Sequence, residues 1–304
     1  MKVAPARGVN VVERPFAAEI ELPRQVQMEA VGECSLSIRS PAFMSFGAFS
    51  NMLAQFPTLE RLVLQGRGDP LAHPRFCDMV ALAAARRIEV SARSPLKALS
   101  ERLAEELVQC GLRRLEILVD PLRPAGAMRH AARLNGVKLR LGATQPDICI
   151  VAVAMRRNAA SLASLVRLVH QLDLPGLQIR HLAHDSSHTR RFVDAESLMG
   201  EDAGVFAAAR AAADELGVEL VLPPQPNAVP GCDRPSQGAY INYYGRAMPC
   251  EMVGTSSRLG FGNMHREGVA RVWNSDAYRQ FREGLAAGDP SEVCKNCAVY
   301  RGLR

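Results

Sequence analysis

The sequence predicts an α/β chain in which a partial parallel barrel of six βα units precedes a small, cysteine-stapled α+β domain. Short apolar runs alternate with helical patterns between residues 25 and 222, and this alternation is typical of a parallel sheet that curves into an open barrel. Four prolines and a glycine interrupt it at 223–231. Beyond them the chain is short of long elements and carries four of its eight cysteines, which indicates a second, smaller domain.

The first half of the predicted barrel shows the alternation clearly. Its predicted strands and helices, in order, span 26–31, 43–56, 61–65, 75–87 and 88–92. Ser94 is then predicted to cap a helix with leucines on one face from Leu96 to Leu107, and Gly111 is predicted to end it.

The second half repeats the pattern. Its predicted strands and helices, in order, span 113–119, 124–134, 148–154, 177–182, 204–216 and 218–222. The run at 148–154 is apolar throughout, as in a strand buried on both faces. Asn158 is predicted to cap the helix that carries Leu162 and Val169.

We expect four segments along the chain. They are an N-terminal extension at 1–24, the barrel at 25–222, a linker at 223–231 and the cysteine-stapled domain at 232–304. Within the last segment, a hairpin is predicted to turn at Tyr244-Gly245, and a helix at 275–286 is predicted to precede the last two cysteines.

Composition narrows the class of protein. Hydrophobic residues make up 48% of the 304 residues and charged residues 22%, which is ordinary for a globular protein. The formal charge of +6 is scattered and is not interleaved with aromatic residues, so we expect no nucleic-acid partner. We see neither a signal peptide nor an apolar run long enough for a bilayer, and we expect a cytoplasmic protein with no membrane partner.

The four C-terminal cysteines are the strongest chemical signal. Cys232 and Cys250 lie on either side of Gly245, and Cys294 and Cys297 form a C-x-x-C pair. In a reducing compartment such a set indicates a metal site more than disulfides, and four thiolates suit either an iron–sulfur cluster or a structural zinc ion. Spacing alone leaves these two open, and leaves open four unrelated buried cysteines as well.

Residues 232–302 resemble the SPASM/twitch extension of radical S-adenosylmethionine (SAM) proteins. The resemblance rests on the Gly245-x4-Cys250 spacing, Gly262-Asn263, Trp273-Asn274-Ser275 and Cys294-x2-Cys297, and it extends back to about residue 25. It implies an auxiliary [4Fe–4S] cluster in the tail. Many relatives carry a second cysteine where this chain has Glu251, so a single auxiliary cluster is expected.

The same resemblance brings the loop after the first strand into register with a C-x3-C-x2-C motif. That motif would hold the cluster that cleaves SAM, but this chain has Cys34, Ile38 and Pro41. One thiolate does not hold such a cluster. Gly66, Gly68 and Asp69 resemble the turn that receives the SAM amino group, so SAM binding remains open as a vestigial property; a tight turn that simply requires glycine explains these residues equally well.

Other candidate groups have simpler explanations. Cys77, Cys110 and Cys149 are expected to be small buried hydrophobes. The histidines from His181 to His188 follow the sixth strand, and we interpret them as part of a solvated loop because their spacing matches no zinc pattern.

Three functions are therefore consistent with the residues and the resemblance. The first is a degenerate, accessory member of this family that keeps one auxiliary cluster and binds a peptide or protein partner or transfers electrons. The second is an active radical SAM oxidoreductase that modifies a peptide or small molecule. The third is a zinc-stapled interaction protein.

Overall fold

The computed structural model describes most of the chain. The described residues are 20–32, 42–97, 99–182, 190–198, 203–223, 231–253, 259–295, 297 and 299–301. Within these ranges no helix is both long enough and apolar enough to cross a bilayer.

A single nine-stranded sheet organises the molecule. The strands are β1 (Gln25–Met28), β2 (Arg61–Leu64), β3 (Glu89–Ser94), β4 (Arg114–Val119), β5 (Asp147–Ala154), β6 (Gly176–His181), β7 (Glu219–Val221), β8 (Gly238–Ile241) and β9 (Ala247–Met248). Their spatial order is β7-β6-β5-β4-β3-β2-β1-β8-β9. All neighbours are parallel except β8 and β9, so the predicted parallel α/β architecture is confirmed.

Twelve α-helices lie within the described residues, and those between the parallel strands of the barrel pack against one face of the sheet. The twelve are α1 (Phe46–Ala54), α2 (Phe76–Ala85), α3 (Glu101–Gln109), α4 (Ala125–Arg140), α5 (Leu162–Gln171), α6 (Arg190–Glu196), α7 (Ala207–Leu216), α8 (Arg234–Gln237), α9 (Met264–Glu267), α10 (Val269–Trp273), α11 (Asp276–Ala286) and α12 (Glu292–Lys295). Alternate strand residues such as Val90, Ala92 and Ile117 are buried against these helices, while the residues between them face the concave side of the sheet.

Several local predictions were wrong. Ser94 ends β3 and its hydroxyl accepts a hydrogen bond from the Leu96 amide at 2.9 Å, while the helix begins later, behind Ser100. Leu96 has a φ of 57°, which helices do not allow. The next helix, α4, was predicted to end at residue 134 but runs on to Arg140, because its buried apolar face continues to Val137.

Asn158 also has a different role from the predicted one. Its side chain accepts from the Met155 amide at 2.8 Å and donates to the Val153 carbonyl at 2.9 Å. It therefore holds a 3₁₀ turn at Arg156–Ser161, and α5 begins only after that turn. The buried Asn158 amide therefore has hydrogen-bond partners for both its oxygen and its nitrogen, and it connects the end of β5 to this 3₁₀ turn.

The C-terminal tail is joined to the barrel by hydrogen bonding between β8 and β1. β8 pairs in parallel with β1, so the sheet is continuous from the barrel into the cysteine-bearing region. The predicted hairpin is present, with β8 and β9 antiparallel and Gly245 in its turn at a φ of 83°. Most of the predicted linker lies outside the described residues.

Candidate metal centre and the barrel lumen

The four C-terminal cysteines lie in three chain segments that converge. Cys294 is carried by α12, and Cys297 follows in a turn whose amide bonds back to the Cys294 carbonyl at 2.9 Å. Cys232 reaches the same place because the neighbouring Gly231 amide bonds to the Tyr300 carbonyl at 2.6 Å. These three cysteines, Cys232, Cys294 and Cys297, pack in a small apolar cluster with Phe281, Leu285 and Tyr300.

The Cys250 thiol interacts electrostatically with the other tail thiols. Burial raises the pKa of Cys294 to about 12, and Cys250, Cys297 and Cys232 add to the shift. Burial likewise raises the pKa of Cys250 to about 11, with Cys297 contributing and Arg234 opposing. Burial also raises the pKa of Cys232. These thiols therefore resist ionising together unless a cation compensates them, which is the condition that a thiolate-bound metal site meets.

The four cysteines come near one another but do not form a metal-ligand set in this structure. Among the described residues, no group of three or more His, Cys, Asp or Glu side chains is placed to hold a metal ion. The Tyr278 hydroxyl is a buried donor with no hydrogen-bond partner in those ranges. Burial raises its pKa, Arg282 opposes that shift and the Cys250 thiol adds to it, so a donor without an acceptor lies near the thiols.

The motif residues of the tail build its frame. A Cβ added to Gly245 would lie 2.1 Å from the His265 ring, so only glycine fits this turn. Asn263 caps α9 by accepting from the His265 and Arg266 amides, and it donates to the Tyr244 carbonyl at 2.9 Å. Both residues hold the hairpin that leads to Cys250.

Trp273 and Asn274 tie the tail to the start of the described chain. The buried Trp273 indole donates to the Glu21 carbonyl at 2.9 Å, and Asn274 accepts from the Ile20 amide at 2.8 Å. The Arg282 guanidinium lies 4.3 Å from the Trp273 ring centre and donates to its carbonyl. The polar motif residues therefore serve packing in this region.

The barrel mouth is the end of the sheet where the carboxyl ends of β1 and β2 lie. There the turn at 66–69, here called the glycine turn, packs against the end of β1. A Cβ on Gly66 would lie 2.3 Å from the buried Glu29 side chain, and one on Gly68 would lie 2.6 Å from the Gly32 carbonyl oxygen. Glu29 accepts from the Arg67 amide at 2.7 Å. Close packing therefore accounts for both glycines, independently of any ligand.

Asp69 is engaged by its own surroundings. Its carboxylate accepts from the Leu71 amide at 3.1 Å and starts a 3₁₀ turn. Burial raises the pKa of Asp69, while hydrogen bonds from Ser94 and Leu71 oppose that shift. An incoming amino group would compete with these internal donors.

An ion-pair network that the sequence analysis missed lies on the concave side of the sheet, here called the lumen. Glu116 on β4 accepts from Arg93 on β3 at 2.8 Å and from Arg180 on β6 at 2.6 Å. Burial would raise the pKa of Glu116, but the two guanidinium groups outweigh it and lower the pKa. The available signal was the recurrence of charged residues at alternate positions of β3, β4 and β6.

Glu251 occupies the boundary between the lumen and the cysteines. It accepts hydrogen bonds from Gln65, which directly follows β2, and, at 3.1 Å, from Arg234 on α8. Arg234 also opposes the pKa shifts of Cys232 and Cys250, so this one cation interacts with both the lumen and the thiol site.

The remaining candidates are dispersed. Cys77 on α2 and Cys110 at the end of α3 pack against the core, and a hydrogen bond between the two thiols raises the pKa of Cys77. All three, Cys149 included, are half-buried rather than buried as predicted. Burial lowers the pKa of His181, which packs near Phe206. Outside the described residues lie Cys34, Ile38, Pro41, His184, Asp185 and His188.

Comparison with known proteins agrees with this geometry. Residues 232–298 match the SPASM family, described as an iron–sulfur cluster-binding domain. The PqqA peptide cyclase of Xanthomonas euvesicatoria is 25% identical over 312 aligned residues, which span 95% of this chain and 82% of the relative.

Solved structures share the fold. The Streptococcus suis protein SuiB, bound to its precursor peptide SuiA, superposes with a TM-score of 0.67 at 12% identity over 94% of this chain and 71% of that one. Native anSMEcpe with bound AdoMet superposes with a TM-score of 0.65 at 15% identity, over 92% of this chain and 87% of that one. The similarity therefore extends across the barrel and the tail.

Proposed function

The chain belongs to the radical SAM superfamily with a C-terminal SPASM domain, and from this premise we propose that it is an accessory, non-catalytic member. It holds one auxiliary [4Fe–4S] cluster and binds a peptide or protein partner. The observation that carries the proposal is a contrast in thiols: four converge in the tail, while the loop that should hold three contains Cys34 alone.

The auxiliary cluster would be held by the four tail cysteines, and Cys232, Cys250, Cys294 and Cys297 are that set. The fit rests on two observations. The thiols are buried or half-buried and repel each other's charge, and the Tyr278 hydroxyl, which interacts with the Cys250 thiol, lacks an acceptor among the described residues. Iron–sulfur clusters supply the cations that such thiolates need and the sulfides that accept hydrogen bonds. A cluster bound by four cysteines has no open iron, so it would stabilise the tail or carry electrons.

One cluster, rather than two, is supported by Glu251. Its carboxylate is already bound to Gln65 and Arg234. Where many relatives add a cysteine, this chain instead has an ion pair at the boundary between the lumen and the tail.

Loss of radical chemistry is supported by the barrel mouth. Ile38 and Pro41 replace two thiolates, and Asp69 is satisfied by Leu71 and Ser94. The Arg93–Glu116–Arg180 network spans the lumen. Together these features favour a barrel that keeps its shape and has lost the machinery for SAM cleavage.

The partner class follows from relatives. A cyclase of a peptide and a protein bound to its precursor peptide are both similar to this chain along most of its length. We therefore infer a peptide or protein partner, bound by the barrel at 25–222 and the SPASM domain at 232–304, with 223–231 between them. Unpaired thiols throughout the described residues suit a reducing cytoplasm.

Metal and sulfide analysis of protein purified without oxygen tests the proposal. We expect about four iron and four sulfide per chain and no 5′-deoxyadenosine after reduction with SAM. About eight iron with 5′-deoxyadenosine would establish the active oxidoreductase instead. Zinc without sulfide would establish the zinc-stapled interaction protein.

A further inference from the structure

The lumen contains a cavity of about 430 Å³ beside the open edge of the sheet. Its charged lining consists of Arg93, Arg180, Arg234 and Glu251. A volume of this size accommodates a few residues of a peptide. The cavity has an apolar wall as well, formed by the end of β7 from Val221 to Pro223.

The charges around this cavity do not cancel. Arg93 and Arg180 share the carboxylate of Glu116, which Arg114 also approaches at 4.0 Å, and Arg234 is paired with Glu251. Four guanidinium groups therefore face two carboxylates, so positive charge is in excess. The Arg93 and Arg180 side chains remain 24% and 26% exposed, so part of each guanidinium is accessible from the cavity.

One further donor or acceptor is unpaired there. His181 lines the same cavity, and its buried Nδ1 has no hydrogen-bond partner in the described part of the chain. A buried polar atom that borders a cavity and lacks a partner indicates a position for a ligand atom.

Resting on the accessory, peptide-binding function above, we propose that this cavity binds a single carboxylate of a peptide, with Arg93, Arg180 and Arg234 as its binding groups. Guanidinium groups bind carboxylates through paired, charge-assisted hydrogen bonds, and the excess of positive charge favours an anionic group. The apolar wall would receive a neighbouring aliphatic side chain. The carboxylate belongs either to an acidic side chain or to a chain end.

Three peptides of one length test this by calorimetric titration of the anaerobically purified full chain. The first is acetyl-Ala-Leu-Glu-Leu-Ala-amide, the second has Gln in place of Glu, and the third has that Gln and a free C-terminal carboxylate. We expect at least one carboxylate peptide to bind roughly tenfold more tightly than the neutral one. The better of the two identifies the source of the carboxylate.

Two lumen variants are expected to change the preference for the carboxylate peptide in opposite directions. Arg180→Gln should reduce the carboxylate preference to about threefold or less. Glu116→Gln should increase it, because it releases two guanidinium groups from their internal partner. Arg140→Gln removes an exposed arginine paired with Glu101 and Glu105 on the outer helices, and should change nothing.

Equal binding of all three peptides, or no binding of either carboxylate peptide at millimolar concentration, would overturn the assignment. So would an unchanged preference in both lumen variants. These outcomes leave the iron and sulfide content untouched, so they are distinguishable from failure of the accessory function itself.

Discussion

The barrel mouth and the C-terminal tail differ in how their polar groups are paired. In the tail, neighbouring thiols raise the pKa of the buried Cys294 thiol, and the Tyr278 hydroxyl has no acceptor in the described residues. At the mouth, Glu29 and Asp69 accept hydrogen bonds from the protein itself. On the proposed function, this is the difference between a site that has lost its ligand and a site that takes up a cluster.

The largest effect is expected from removing a tail thiol. Cys294→Ala should reduce iron from about four atoms to below one per chain, because three thiolates and a buried methyl group hold a cluster poorly. The tail should also unfold at a lower temperature, since its small apolar cluster includes Cys294 itself. Iron analysis and thermal unfolding of the anaerobic protein measure both.

The matched control for that variant is Cys34→Ala. It removes the one thiol of the degenerate motif and should leave iron, sulfide and unfolding temperature unchanged. Loss of iron in this control would mean that the mouth still contributes a ligand, and the contrast between the two regions would be wrong.

Restoring the missing thiols is the second way to test the contrast. The double variant Ile38→Cys with Pro41→Cys recreates C-x3-C-x2-C around Cys34 and should raise iron from about four to about eight atoms. We expect no 5′-deoxyadenosine from it, because Asp69 and the lumen network remain engaged internally. Iron analysis and chromatography of the reduced reaction mixture report the two results separately.

Much of the fold was predictable because it depends on local pattern. The unbroken apolar run of β5 and the alternation in β2 and β4 predict parallel strands, and Gly245 predicts a turn. The Ser94 prediction failed because a serine followed by proline resembles a helix start, while its hydroxyl serves a non-helical turn at Leu96.

The lumen network escaped prediction for a different reason. Arg93 and Glu116 become neighbours through the register of β3 and β4, and Arg180 reaches Glu116 across β5. Contacts set by strand order and register are invisible to local pattern. The proposed tail ligand set rests on a spacing that resembles a known family, and it stays a prediction.

A third prediction concerns the hairpin that carries Cys250. Gly245→Ala should destabilise the protein by about 2 kcal/mol or more, because a left-handed φ costs a side-chain-bearing residue about 1–2 kcal/mol and its Cβ would overlap the His265 ring. It should also lower the retained iron. Urea unfolding and iron analysis measure these effects.

Gly136→Ala is its control. Gly136 lies in α4 of the barrel with no atom within 4 Å of an added Cβ, so alanine should stabilise the protein by about 0.5–1 kcal/mol. If Gly245→Ala proved equally benign, the hairpin would not be a constrained support for Cys250.

The smallest expected effect is a pH dependence on the barrel side. His73 joins the segment after the Cys34 loop to the glycine turn: one ring nitrogen bonds to the Met44 carbonyl at 2.8 Å, and the other accepts from the Arg75 amide at 3.0 Å. Both bonds suit the neutral ring. Burial lowers the pKa of His73, and Arg75 adds to the shift while Met44 opposes it.

The sign of that effect follows from proton uptake. The unfolded chain binds a proton near the ordinary histidine pKa of about 6.5, and the folded chain does so only at lower pH, so stability falls as pH decreases from about 7 to 5. The slope from this one group is at most about 1.4 kcal/mol per pH unit. Burial also lowers the pKa of His181 and His265, so they add slopes of the same sign. His73→Phe should therefore flatten the dependence only in part. An unaltered slope in this variant would show that the mouth is not held by a neutral imidazole.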